Sequence, residues 1–158
     1  ELFMVSRLDN AKGIWFFGLA GSGKTTASGR IKKKVEHPFL IDGDTVRQLV
    51  SCDLSYTKKD REVQIKRVLG ISQLAALNGY FPISSTVFMN QYILELAEKA
   101  EILVVQITRS SKQITSIREL YQMATEDVVG VSIPQPKLKT TIIHNCGTQN
   151  FFINVDNI

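Results

Sequence analysis

The stretch GLAGSGKT, Gly18 to Thr25, carries the most explicit chemistry in the chain. Gly18, Gly23, Lys24 and Thr25 satisfy G-x-x-x-x-G-K-[ST], in which a glycine-rich turn lets backbone N–H groups converge on phosphate oxygens. The match stands where that mechanism needs it, behind the apolar run GIWFF and ahead of a helical stretch whose N-terminus adds positive potential. Ala20, Gly21, Ser22 and Thr26 complete the cradle. Lys24 is expected to bridge the β- and γ-phosphates, and the Thr25 hydroxyl to reach Mg²⁺. The plain alternative is an empty glycine turn. With glycine at about 7% of residues, a chance match to the full pattern in a chain of this length is roughly a 1% event.

A second constellation follows in LIDGDTVR, where Asp42 and Asp44 flank a glycine and Arg47 comes three residues later. At the carboxyl end of a strand next to the phosphate-loop strand, carboxylates hold Mg²⁺ through water or take the proton of an acceptor hydroxyl, and an arginine grips an anion. Thr25 and Asp42 are the metal-side candidates; Lys24, Asp42 and Asp44 are the catalytic ones. Which acid serves the proton and which the metal stays open, and Asp44 also reads as the cap of a helix TVRQLV. Two motifs of guanine-nucleotide switches occur in letters but not in place. TKKD, Thr57 to Asp60, follows a polar stretch and starts a helix instead of ending a late strand, and DVVG at 127–130 comes too late to read a metal.

The elements that must position these residues are legible as apolar runs at 13–17, 38–41, 81–87, 102–107 and 140–144 with helical stretches between them. That alternation predicts an α/β fold with a mainly parallel five-stranded sheet and helices on both faces. The longest helix is expected in KKDREVQIKRVLGISQLAALNGY, with Val68, Ile71, Leu74, Ala75 and Leu77 as its apolar face and Asn78-Gly79 as its stop. A further helix, NQYILELAEKA, follows the third strand. The polar segment from Arg109 to Lys139 holds one helical piece, SIRELYQMA, and then the prolines of GVSIPQP. It reads as a lid over about 109–136. Pro82 inside the third strand is anomalous, because a central strand seldom tolerates a lost N–H donor.

With 158 residues and 44% hydrophobic composition the chain is expected to form one domain over 1–158. No apolar run approaches the roughly 18 residues of a bilayer span, and the first residues lack the pattern of a secretory leader, so a soluble, cytoplasmic protein is expected. Cys52 and Cys146 have no ligand spacing and read as reduced thiols. A net charge of +4 spread over several clusters suits a small anionic substrate. The basic helix lacks the aromatic interleaving of a nucleic-acid module.

Three linked stretches, GLAGSGKTT, LIDGDTVR and DLSYTKKDREVQIKRV, together resemble the adenylyl-sulfate kinase family of P-loop kinases. Weaker echoes, ELYQMA and VVGVSIP, extend the resemblance to about Pro136. It implies a three-layer P-loop NTPase fold, ATP and Mg²⁺ as cofactors, and phosphorylation of the 3′-hydroxyl of adenylyl sulfate. It places substrate contacts on Asp44, Arg47, Arg61 and Gln64 (asparagine in the family), with Tyr56 where a phenylalanine packs at the substrate base. It implies a small nucleotide as partner, neither nucleic acid nor membrane, with a homodimer left open.

The chain also departs from the family. Phe88 stands for a serine, Gln91 for an arginine and Ser132 for an aspartate, while Arg118 is the lid arginine closest to the family's nucleotide-facing one. These changes gather on the acceptor and lid half. They bring in two alternatives: a related kinase acting on another activated nucleotide, such as cytidine diphosphoramidate in capsule synthesis, and a degenerate module that binds ATP without turnover.

Overall fold

The computed structural model describes residues 7–110 and 137–158. Of the expected lid, all but Arg109 and Ser110 lies outside the described residues, together with Arg118, Ser132 and the DVVG stretch.

The five apolar runs form β1 (Gly13–Phe17), β2 (Pro38–Asp42), β3 (Phe81–Thr86), β4 (Ile102–Arg109) and β5 (Thr141–Asn145). They join in one sheet of order β2-β3-β1-β4-β5, and every pairing is parallel. The connections include α1 (Lys24–Lys32), α2 (Gly43–Leu49), α3 (Lys58–Leu77) and α4 (Gln91–Lys99), and α5 (Gln149–Asp156) follows the last strand.

β1 is the centre of the sheet and every one of its residues is buried, as expected of a strand covered on both faces. Its alternate side chains feed two separate cores. Trp15 and Phe17 pack with Val68, Leu69, Ile93 and Leu94 of α3 and α4, whereas Ile14 and Phe16 pack with Ala27, Ile31, Phe151 and Val155 of α1 and α5. This is the three-layer α/β arrangement with helices on both faces.

Three details differ from the sequence reading. β2 does not lie next to β1, because β3 runs between them. β2 is an edge strand, where one buried side chain, Ile41, suffices and Phe39 and Leu40 stand 41% and 49% exposed. On α3, Val68 and Ala75 are buried and Ile71 packs against the core, but Leu74 and Leu77 are exposed. The stripe that faces the sheet is Ile65, Val68, Leu69, Ser72 and Ala75, at helical spacing, and a hydroxyl fits within it because Ser72 Oγ meets Ser84 Oγ of β3 at 2.7 Å.

Pro82 is the third. Phe81 N–H is spent on His37 O on the β2 side, so position 82 faces β1, whose register with β3 starts one residue later at Ile14 and Ile83. The missing donor therefore falls before that ladder begins. Opposite it stands Gly13, where a Cβ would come within 2.6 Å of the proline ring.

Candidate active site

The phosphate-loop pattern lies between the buried end of β1 and the first turn of α1. Gly21 and Gly23 take φ of 75° and 112°, backbone that other residues adopt only with strain. A Cβ on Gly18 would collide with the carbonyl of Ile107 in β4, and one on Gly23 would come within 2.5 Å of Asn145 Nδ2. The N-cap of α1 is Gly23, which has no side chain to cap with, so the N–H groups of the first turn meet no capping oxygen there. Lys24 folds back over the loop, its Nζ donating to Gly18 O at 2.7 Å and Leu19 O at 2.9 Å. Burial pulls its pKa down to about 8, against the opposing pull of Asp44 and then Asp42. Both acids therefore stand close enough to be felt at the lysine.

Asp42 caps α2: Oδ2 accepts from the Thr45 amide at 3.1 Å and hydroxyl at 3.3 Å, while Oδ1 accepts from Ser85 Oγ at 3.3 Å. The cap is thus Asp42, not Asp44, because α2 begins at Gly43 and Asp44 sits within its first turn. Lys24, Thr25, Asp42, Asp44 and Ser85 line one cleft of about 190 Å³ together with Ala20 and Gly21. Ser22 is buried under the loop, and Thr26 is exposed on α1 without lining the cleft.

A second cavity of about 200 Å³ adjoins the first, and Ala20, Asp44 and Thr86 line both. Its other walls include Arg47, Tyr56, Arg61, Gln64 and Phe88. The Arg47 and Arg61 guanidinium carbons stand 4.3 Å and 5.4 Å from the centroid of the Tyr56 ring. Each arginine is steered by a backbone carbonyl, Arg47 Nη1 donating to Ser55 O at 2.7 Å and Arg61 Nε to Tyr56 O at 2.9 Å. The turn carrying Tyr56 is set by the same residues that mimic a guanine-reading motif. Thr57 Oγ1 caps α3 by accepting from Asp60 N, and Asp60 accepts from the Ser55 amide and hydroxyl, which holds its carboxyl below the usual range. TKKD is a helix start, as its context indicated.

Gln64 is buried and donates from Nε2 to Gly43 O at 3.0 Å. Phe88, also buried, is fixed through a relay in which Trp15 Nε1 donates to Thr86 Oγ1 at 2.9 Å and that hydroxyl donates to Phe88 O at 2.9 Å. Gln91 is not among the lining residues; it donates to Glu95 on the exposed face of α4.

Two residues that sequence reasoning passed over hold the loop from behind. Asn145, buried at the end of β5, donates from Nδ2 to Ser22 O at 2.8 Å and accepts from Gly147 N at 2.9 Å. Arg109, at the end of β4, reaches Gly21 O at 3.4 Å. The signal available for Asn145 was its place in NCG, a turn directly after a strand.

A family model described as adenylylsulphate kinase matches residues 10–131, most of the chain and both cavities. The chain belongs to this family. The matched adenylylsulphate kinase region stops short of β5 and α5, so the Asn145 contact to the phosphate loop lies beyond it. The adenylyl-sulfate kinase of Staphylococcus haemolyticus is 36% identical over 94 residues, 57% of this chain and 46% of that protein. The bifunctional enzyme NodQ of Rhizobium sp. is 40% identical over 76 residues, 46% of this chain and 12% of that protein. The chain spans about half the length of the adenylyl-sulfate kinases it matches, 46% and 51% for two of them. In fold it is similar to the Mycobacterium tuberculosis APS kinase CysC solved with AMPPNP and APS, at a TM-score of 0.77 and 20% identity over 93% of this chain and 96% of that one.

Proposed function

We propose that this domain transfers the γ-phosphoryl group of MgATP to a hydroxyl of an activated nucleotide, and that the 3′-hydroxyl of adenylyl sulfate is the first acceptor to test. One observation carries the reading: two adjoining cavities, one walled by a phosphate loop and one by Arg47, Tyr56 and Arg61, have Asp44 as the ionisable residue of their common wall. Donor phosphate on one side and acceptor hydroxyl on the other would meet at that acid.

The residues divide the work accordingly. Gly18 N–H donates to Thr86 O and Ser22 N–H to Leu19 O, so the other amides between Leu19 and Thr25, with the open first turn of α1, bind phosphate oxygens. Lys24 exchanges the carbonyls of Gly18 and Leu19 for the β- and γ-phosphates, where its ammonium is favoured by the added negative charge. Arg47 and Arg61 hold the acceptor's anionic group in fork geometry, and the exposed Tyr56 ring offers a face to its base. Asp44 orients the hydroxyl and accepts its proton, because it reaches both cavities. Asp42 lines only the phosphate side and falls to the metal with Thr25.

The donor set fits Mg²⁺, which takes oxygen ligands and is commonly held by one or two carboxylates plus substrate phosphates. Among the described residues no group of three acidic, histidine or cysteine side chains is gathered as a dedicated cage. When bound there, the ion supplies neutralisation of the charge on the transferring phosphoryl group.

The buried Phe88 wall favours a second reading of the acceptor, because an apolar ring stands where the family has a serine. A differently activated nucleotide such as cytidine diphosphoramidate is that alternative. Radiolabelled ATP with adenylyl sulfate, and separately with cytidine diphosphoramidate, decides between them: label in the first product supports the default, and label only in the second discards it. Lys24→Ala is expected to remove transfer of label while the far-ultraviolet spectrum stays unchanged. Normal turnover by that variant would refute the phosphate-loop assignment.

A further inference from the structure

Arg109 is a cation beside the phosphate loop that the proposed reaction leaves unused. It is half-buried at the end of β4, and among the described residues no carboxylate pairs with it, unlike Arg30 with Asp156 and Arg67 with Asp53. A guanidinium offers five N–H groups. Nε is shut off from solvent without a partner among the described residues, and Nη1 makes one bond on the exposed side, to Gly21 O at 3.4 Å. That is longer than the roughly 2.7–3.2 Å of an ordinary N–H···O bond. Nη2 comes against Gly147, where an added Cβ would stand 3.7 Å away. Glycine backbone therefore flanks the group on both sides, and neither flank supplies an anion. Charges taken out of water are normally paired, so a half-buried guanidinium resting on one long contact asks for a negative partner.

Its place in the sheet says which anion. The strand order is β2-β3-β1-β4-β5. Asp44, Thr86 and Phe88 of the acceptor cavity stand at or just beyond the ends of β2 and β3, on one side of the phosphate loop. Arg109 and Gly147 stand at or just beyond the ends of β4 and β5, on the other. A triphosphate whose γ-end meets an acceptor at Asp44 runs across the loop toward β4, which brings its α-phosphate to the Arg109 side. Lys24 serves the β- and γ-phosphates and leaves the α-phosphate to another cation. We propose that Arg109 is a donor-binding residue whose Nη groups leave Gly21 O and grip a non-bridging oxygen of the α-phosphate. A charge-assisted bond to phosphate is stronger than the long contact to a neutral carbonyl that it replaces. The inference rests on the kinase reading above and adds a residue to its donor half.

Equilibrium binding tests this without turnover, by calorimetry with the magnesium complexes of ATP and of the two diastereomers of its α-phosphorothioate. Each diastereomer carries sulfur in place of a different non-bridging oxygen, so a contact to one oxygen makes the protein distinguish them. The parent is expected to prefer one diastereomer about 10-fold. Arg109→Met is expected to bind ATP about 10- to 100-fold more weakly and to distinguish the diastereomers less than about 2-fold, with KM for the acceptor unchanged. A variant that binds every nucleotide more weakly yet keeps the parent's preference shows that Arg109 only braces Gly21; this overturns the proposal and leaves the kinase reading standing. ATP affinity equal to the parent's, or a parent without preference, overturns it as well. A parent that binds no nucleotide removes the kinase reading and this inference together. Should Arg109→Met fail to melt cooperatively, Arg109→Gln, which keeps an N–H donor and loses the charge, takes its place. It is expected to lose the preference, and a folded glutamine variant that retains it counts against the proposal.

Discussion

Lys24 shows at the residue scale how burial and the loop's own carbonyls act on one ammonium. It is largely buried, its ammonium satisfied by the loop's own carbonyls, and its pKa falls from 10.5 to about 8 because burial outweighs the attraction of Asp44 and Asp42. The sign of the linkage follows. A depressed lysine means that the unfolded chain binds more protons than the native one between about pH 8 and 10.5, so stability without ligand rises with pH through that window. Below it both states are protonated and the full cost of the buried charge, on the order of 3 kcal/mol, is present. Urea unfolding at pH 7.5 and pH 10 is expected to show this rise for the parent relative to Lys24→Met, which carries no titrating group there. Parallel profiles for the two proteins would mean that the lysine is not held as described. The loop motif itself was plain in the letters, because glycine, lysine and threonine at fixed spacing have few other uses. The division between Asp42 and Asp44 was not, since both lie within three residues and only backbone geometry makes one a cap.

Element by element, what was legible is what a strand or helix announces by its own pattern. β1 is a continuous apolar run and α4 is amphipathic, and each stands where the letters placed it, while β4 starts as read at Ile102 and runs on to Arg109. Strand order was misread at β2 because adjacency in a parallel sheet is decided by crossovers, not by any one strand's composition. The exposed Leu74 and Leu77 were counted into the core because residues near a helix end keep helical spacing even where no layer covers them. Pro82 illustrates the same limit: its strangeness within β3 vanishes only when Gly13, in another strand, is seen opposite. That pairing predicts a non-additive cycle. Gly13→Ala places a methyl within 2.6 Å of the proline Cγ and is expected to destabilise by about 1–3 kcal/mol. Pro82→Ala removes that ring atom, so Gly13→Ala in the Pro82→Ala background should cost under about 1 kcal/mol by chemical denaturation. Equal costs in the two backgrounds would show that ring and glycine are not matched.

The whole molecule is a parallel sheet whose carboxyl ends gather the groups that matter. The phosphate loop follows β1, Asp42 ends β2 with Asp44 just beyond it, Thr86 ends β3 with Phe88 just beyond it, Arg109 ends β4 and Asn145 ends β5. This convergence is the general habit of open α/β sheets, and it explains why residues more than a hundred positions apart, Ser22 and Asn145, share one hydrogen bond. The partner of such a contact leaves no local trace, so NCG marked a turn after a strand but not that Asn145 reaches the phosphate loop, and Arg109 escaped a reading by motif. Such contacts imply that the phosphate loop is braced by the far side of the sheet and that occupying it should tighten the whole domain. For a ligand that binds only the native state, stabilisation is RT ln(1 + [L]/Kd), about 2.7 kcal/mol at a hundredfold excess over Kd. For a domain of this size that corresponds to a rise in Tm of roughly 5–10 °C. MgATP is expected to produce such a rise in the parent and almost none in Lys24→Ala. Asn145→Ala should fall between them: the loop keeps its lysine and its amides but loses its brace, so the same rise needs roughly tenfold more nucleotide, about 1.4 kcal/mol of affinity. If Asn145→Ala responds to MgATP at the parent's concentrations, the far-side contact serves the fold alone and does not tune the phosphate site.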